Sequence, residues 1–141
     1  MHILFISAGG GLVQNYFGEY LLIFRGGKWD LPKGKQDDGE DLLLTAVREV
    51  GEECGLTKIR PGRFIACTRH SYWLQDRLVF KQTHWYRMQV SGRPPLRPQT
   101  EEGIEQCCWC NKEEALLRLK ESYPSIRWLF SKAVSISANP K

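Results

Sequence analysis

The segment from Trp29 to Leu56, WDLPKGKQDDGEDLLLTAVREVGEECGL, constrains the fold more than any other part of the chain. Leu43, Ala46, Val47, Val50 and Cys54 recur at helical spacing and predict a helix from about Asp41 to Cys54. Gly55 follows where a helix C′ glycine belongs. Pro32 biases Leu31 away from helix, so Trp29 to Pro32 is extended. On the helix, Glu49, Glu52 and Glu53 stand at i, i+3 and i+4 and share one face, roughly 120° from the centre of the apolar stripe. Like charges at i,i+4 oppose helix formation by a few tenths of a kcal/mol. Arg48, at i,i+4 from Glu52, is the only cation in the predicted helix.

Crowded carboxylates either coat a solvated face or hold a hard cation. The preceding loop favours the second reading. Gly34 and Gly39 free the backbone for close approach to a ligand. Lys33 and Lys35 are placed to meet phosphate, on the loop that feeds an anion-favouring helix N-terminus. Mg²⁺ takes carboxylates and completes its shell with waters and substrate phosphates.

The rest of the chain reads as one domain, residues 1–141, with room for a core. Its 42% hydrophobic and 26% charged content excludes a disordered chain. A net charge of +4, from scattered Lys and Arg, suits an anionic ligand but does not argue for nucleic acid. MHILFISAGG lacks a charged leader region, and no apolar run approaches a membrane span. A cytoplasmic location with reduced cysteines is therefore expected. Cys107, Cys108 and Cys110 lack the paired spacing of a zinc site and are read as small thiols on a strand.

ILFIS, residues 3–7, predicts a buried strand, and Gly9 to Gly11 a turn or strand irregularity. EYLLIFRG, RFIACTRHSYWL, LVFKQTHWYRMQV and IEQCCWC predict further strands, the middle two joined by QDR. RPPLRPQ is a loop. Asn111 and Glu114 form a capping-box pattern, Pro124 opens a last helix, and the terminal SANPK is expected to fray. Strands mixed with three helices give an α+β or layered α/β class.

Gly34, five residues, Glu40, seven residues, then Arg48-Glu49-Val50-Gly51-Glu52-Glu53-Cys54-Gly55-Leu56 resembles a complete Nudix box, G-x5-E-x7-R-E-U-x-E-E-x-G-U, with every fixed position filled. The resemblance implies an α/β/α sandwich with a mixed β-sheet. It implies Mg²⁺- or Mn²⁺-dependent hydrolysis of a nucleoside diphosphate linked to another moiety, X. By the same carry-over Glu49, Glu52 and Glu53 hold metal, with the Gly34 carbonyl completing the shell, while Glu40 and Arg48 orient the carboxylates. The proton acceptor is a box glutamate or one outside it. Of Glu101, Glu102 and Glu105, Glu102 is favoured. Lys33, Lys35 or Arg48 would steady phosphoryl charge.

A base needs an aromatic platform. Candidates are Tyr72 or Trp73, and Trp85 or Tyr86, with one of each pair facing a given side. His70 and His84 are read as structural. The flanks WDLPKGK, THWYRM and EEGIEQCCW are similar to small diadenosine polyphosphate hydrolases of the family. ADP-ribose, nucleoside triphosphates, capped RNA ends and a non-cleaving nucleotide sensor are the alternatives. A small nucleotide is the expected partner, with no membrane or nucleic acid.

Overall fold

The computed structural model describes residues 2–137. Of the SANPK stretch expected to fray, residues 138–141 lie outside them, and Ser137 ends the last helix. The elements run β1 (His2–Gln14), β2 (Tyr20–Arg25), β3 (Lys28–Asp30), β4 (Lys33–Lys35), α1 (Leu42–Cys54), β5 (Arg60–Leu74), β6 (Arg77–Gln89), β7 (Ile104–Cys110), α2 (Lys112–Leu119) and α3 (Pro124–Ser137), with a short 3₁₀ turn at Thr100–Glu102. The sheet order is β3-β2-β1-β6-β5, with β4 added to β1 and β7 to β2. The β1–β6 pair is parallel and the remaining pairs are antiparallel, so the sheet is mixed.

Alternation along the strands builds two cores. Val13, Leu21, Ile23 and Met88 pack with Ala46, Val50 and Cys54 of α1. Their neighbours Leu12, Tyr20, Leu22 and Trp85 pack with Ala115 and Leu119 of α2 and with Ile126, Leu129, Phe130 and Ala133 of α3. Successive strand residues face opposite sides, so one β1 strand feeds both layers. The result is an α/β/α sandwich. Among the described residues no helix is long and apolar enough to cross a membrane.

Two local expectations are corrected. Gly9 to Gly11 lie inside β1 rather than at a turn. Their cause is tertiary: a Cβ on Gly9 would lie 2.7 Å from the Leu42 carbonyl oxygen, and one on Gly11 would lie 2.9 Å from a Val50 methyl. Bare backbone there lets α1 settle on the sheet. The Ile3–Ser7 stretch is a strand but not a buried one, with Phe5 77% exposed. The buried half of β1 is the glycine-rich half, because that is the part α1 covers.

The helix ends follow the local chemistry. The Asp41 carboxylate accepts from the Leu43 and Leu44 N–H groups, and Gly55 closes α1 in the left-handed conformation at φ 73°. Asn111 and Glu114 form the reciprocal capping box on α2. The proline-rich loop has a larger part than spacing. Its Arg97 and Gln99 N–H groups donate to the Cys54 and Glu53 carbonyls, the open acceptors at the end of α1.

Candidate active site

The site is organised around Arg48, at the middle of α1. Its guanidinium meets Glu40 in a fork, Nε to Oε2 at 2.7 Å and Nη2 to Oε1 at 2.9 Å. Nη2 also donates to the Lys35 carbonyl at 3.1 Å. Nη1 spans Glu49 at 2.9 Å and Glu52 at 3.3 Å. Glu40 takes a further bond from the Thr45 hydroxyl at 2.7 Å. The hydrogen bonds from Arg48, then those from Thr45 and Asp37, hold the Glu40 carboxyl down at about 2. Arg48 and Glu40 thus tie the loop to the helix, and Arg48 also reaches the carboxylates of Glu49 and Glu52.

The three clustered glutamates occupy different surroundings. Glu52 is exposed, Glu49 half-buried and Glu53 only 3% exposed. Burial raises the Glu49 carboxyl and Arg48 partly offsets it. Burial pushes Glu53 up to about 7, against the opposing pull of Arg25 and Lys33. Glu53 accepts from the Lys33 N–H at 3.2 Å and lies 3.6 Å from Arg25. A Cβ on Gly34 would stand 2.0 Å from the carboxyl carbon of Glu49, so the glycine leaves that carboxylate where it is.

The donor set fits a hard divalent cation. Glu49, Glu52 and Glu53 offer anionic oxygens on one helix face beside the backbone of Gly34, and Glu53 is desolvated beyond what its cations offset. Among the described residues no three carboxylate, imidazole or thiol groups converge on a single point. Arg48 is drawn between Glu49 and Glu52 instead.

Beside this cluster opens a cavity of about 420 Å³, lined by Arg25, Lys33, Lys81, His70, Tyr72 and Tyr123 among others. Its charge is the inverse of the box. The Lys81 ammonium is lowered by burial and by the neighbouring Lys33 and Arg25. His70 is lowered by burial and then by Lys33 and Lys81. Asp30, 4% exposed, holds the Lys33 ammonium at 3.0 Å. Cations crowded this way with few anions suit a polyanionic guest. A second cavity, about 480 Å³, shares His70, Ser71 and Lys81 and carries Phe5 and Phe80, whose rings stack at 5.6 Å.

Of the predicted binding residues, Lys33 and Tyr72 line the first cavity. Lys35 is exposed and contributes its carbonyl to Arg48. Trp85 is corrected: it is fully buried, in the core under α3, with its Nε1 donating to the Thr68 hydroxyl at 2.9 Å. It shares the cavity's side of the sheet but offers no open ring face. Tyr86 is partly buried on the α1 side, packed against that core and edge-on to Phe64. Glu102 is exposed on the 3₁₀ turn, and the Arg25 side chain lies near Gly103, which follows it. Arg25, Lys81, Tyr123 and His70 were not anticipated as cavity residues.

The NUDIX domain model matches residues 6–129, and the chain belongs to the Nudix family. The chain is 36% identical over 77 residues to an RNA pyrophosphohydrolase of Sphingopyxis alaskensis, a match that covers 45% of this chain and 47% of that protein. It spans about half the length, or less, of the curated relatives it matches. In fold it is similar to an Ap4A hydrolase of C. elegans in a binary complex, with TM-score 0.73 and 22% identity, covering 94% of this chain and 98% of that one. It is also similar to a MutT protein of Methanosarcina mazei Go1, with TM-score 0.71 and 24% identity, covering 99% of each.

Proposed function

We propose that this chain is a Mg²⁺- or Mn²⁺-dependent pyrophosphohydrolase that cleaves a diphosphate linkage in a nucleoside diphosphate linked to X. The observation that carries the reading is the junction of an acidic helix face with a cationic cavity, made through Arg25 and Lys33, which touch Glu53 and line the cavity. Glu49, Glu52, Glu53 and the Gly34 carbonyl would hold the cation. When bound, it neutralises diphosphate charge and acidifies water.

The chain's own groups do the rest. Lys33, Lys81 and Arg25 bind phosphoryl oxygens and stabilise the charge that builds there. Tyr72 and Tyr123 present rings to a base. Arg48, fixed by Glu40, holds the box carboxylates in place. A carboxylate takes the proton of the attacking water, and Glu102, on the turn beside Arg25, is our candidate for it.

For X we favour a second nucleoside, as in a diadenosine polyphosphate. Two adjoining aromatic cavities that share Lys81 support this over a substrate with one base. The test is initial rate at equal low concentration of diadenosine tetraphosphate, ADP-ribose and ATP, with and without chelator. The expected result is highest kcat/KM for the dinucleotide, ATP among its products, and no turnover in excess chelator. Preference for ADP-ribose or ATP overturns the choice of X. Full turnover in chelator overturns the metal reading.

A further inference from the structure

The CCWC stretch of β7 has no part in the reaction just described, yet its sulfurs are arranged. Alternation sends Cys108 and Cys110 to one face of the strand and Cys107 to the other. Cys107 faces α1, where its thiol donates to the Glu53 carbonyl at 3.7 Å. On the opposite face the Cys108 and Cys110 sulfurs lie 3.3 Å apart. A single Arg118 nitrogen, Nη1, is 3.0 Å from both. That guanidinium is itself stacked on Trp29, with Cζ 4.7 Å from the ring centroid. Cys110 is buried, and Cys108 is partly exposed.

A cation fixed on two sulfurs opposes capture of a second cation such as a soft metal, and favours thiolate. The Cys108 thiol is held below its ordinary value by the hydrogen bond from Cys110 and the charge of Arg118, against burial. An accessible thiolate with a second thiol in contact is the arrangement of an oxidant-reactive pair.

We propose that Cys108 and Cys110 are a reversible oxidation site, in which the Cys108 thiolate attacks hydrogen peroxide and Cys110 closes a disulfide. The Cys108 thiolate attacks the peroxide oxygen and breaks the O–O bond, giving a sulfenic acid and hydroxide. The Cys110 sulfur then displaces the sulfenic oxygen, forming the S–S bond, and that oxygen leaves as water with the Cys110 proton. Two cysteine sulfurs are oxidised together by two electrons, and one peroxide is reduced. Arg118 stabilises the attacking thiolate. Extended residues at i and i+2 have Cα atoms about 6.7 Å apart. Disulfides span about 4.4–6.8 Å. A disulfide also needs Cβ atoms about 3.5–4.5 Å apart, closer than side chains standing side by side on one face of an extended strand, so closure bends β7 about Trp109, opposite Leu22 and Tyr20 of β2. A bond under such tension is readily reduced.

The full chain, fully reduced, is treated with a stoichiometric amount of hydrogen peroxide, quenched, digested and weighed. The expected first product is the fragment ending at Lys112 lighter by two hydrogens, restored by a dithiol reductant. In Cys110→Ser the expected product is a Cys108 sulfenic acid trapped by a dimedone-type nucleophile. Arg118→Leu should slow Cys108 oxidation about tenfold, as for a thiol pKa raised by about one unit, and Arg118→Lys should recover part of the rate. The wild-type measurement needs no variant to fold. First oxidation at Cys67 or at the Cys54–Cys107 side, or consumption of peroxide with the Cys108–Cys110 fragment unchanged, overturns the proposal. So does an unaltered Cys108 rate in Arg118→Leu that gives a native circular dichroism spectrum.

Discussion

A methyl group on Gly34 would stand 2.0 Å from the carboxyl carbon of Glu49, so any side chain there must displace that carboxylate. Gly34 does not need the left-handed region, so alanine there meets a steric obstacle and no backbone strain. Gly34→Ala should displace the Glu49 carboxylate while the fold persists. Activity should fall by about 10²-fold or more, the scale of a misplaced reacting group. The melting temperature should move only slightly. Steady-state rates alongside a thermal melt check both parts, and near-normal activity would show that Glu49 is free to move.

Glu52→Gln keeps the shape of an exposed side chain and removes its charge. The expected loss is on the order of 10²–10⁴ in kcat, the range for an acid–base or electrostatic group. Stability should hold or rise slightly, because one member of a like-charged cluster becomes neutral. Near-normal kcat would remove the box as the reaction centre.

Tyr72 and Trp85 offer a paired test, since one lines the cavity and the other lies in the core on the same side of the sheet. Tyr72→Ala should raise KM by the equivalent of about 1–3 kcal/mol of lost stacking, with little change in the melt. Trp85→Phe should leave KM near normal and lower stability by about 1 kcal/mol, through loss of the Thr68 hydrogen bond. The reverse pattern would mean that the substrate enters beneath α3.

Glu53 makes the metal-free protein pH-dependent. Its carboxyl is near 4.5 when unfolded and raised to about 7 when folded. Between those values the folded state binds more protons, so this group lowers stability as pH rises, and the penalty is complete above about 7. Glu53→Gln should therefore stabilise the chelated protein at pH 8 by on the order of 1–3 kcal/mol, and far less at pH 4.5. Denaturant titrations at the two pH values measure the difference. A gain that is equal at both would assign the effect to packing.

Glu102→Gln tests the proton acceptor. The expected result is a loss on the order of 10²-fold or more in kcat with the acid limb of the pH–rate profile shifted or removed. An unchanged profile would return the role to a box carboxylate.

The elements most legible in the sequence are those set by neighbours along the chain. Asp41 and Gly55 frame α1, and Asn111 with Glu114 caps α2, because those contacts close within a few residues. The box residues were legible for the same reason. Convergence was not. Arg25, Lys81 and Tyr123 come from β2, β6 and the turn before α3, and nothing local marks them as neighbours. Strand alternation limited Trp85 and Tyr86 to opposite sides. Which side α3 buries, and that the cavity begins only farther along toward Tyr72, depend on packing. Gly9 to Gly11 carry a tertiary requirement that a reading of turns assigns to local backbone.

The donation from Arg97 and Gln99 to the last carbonyls of α1 has a temporal side. A nascent polypeptide that has left the ribosome only as far as Leu56 already carries every box residue. It still lacks the Arg97 and Gln99 amides that satisfy the Cys54 and Glu53 carbonyls, and the β6 strand that pairs with β1. The box helix therefore completes its surroundings only once segments far apart in the chain have emerged, through contacts of long sequence separation.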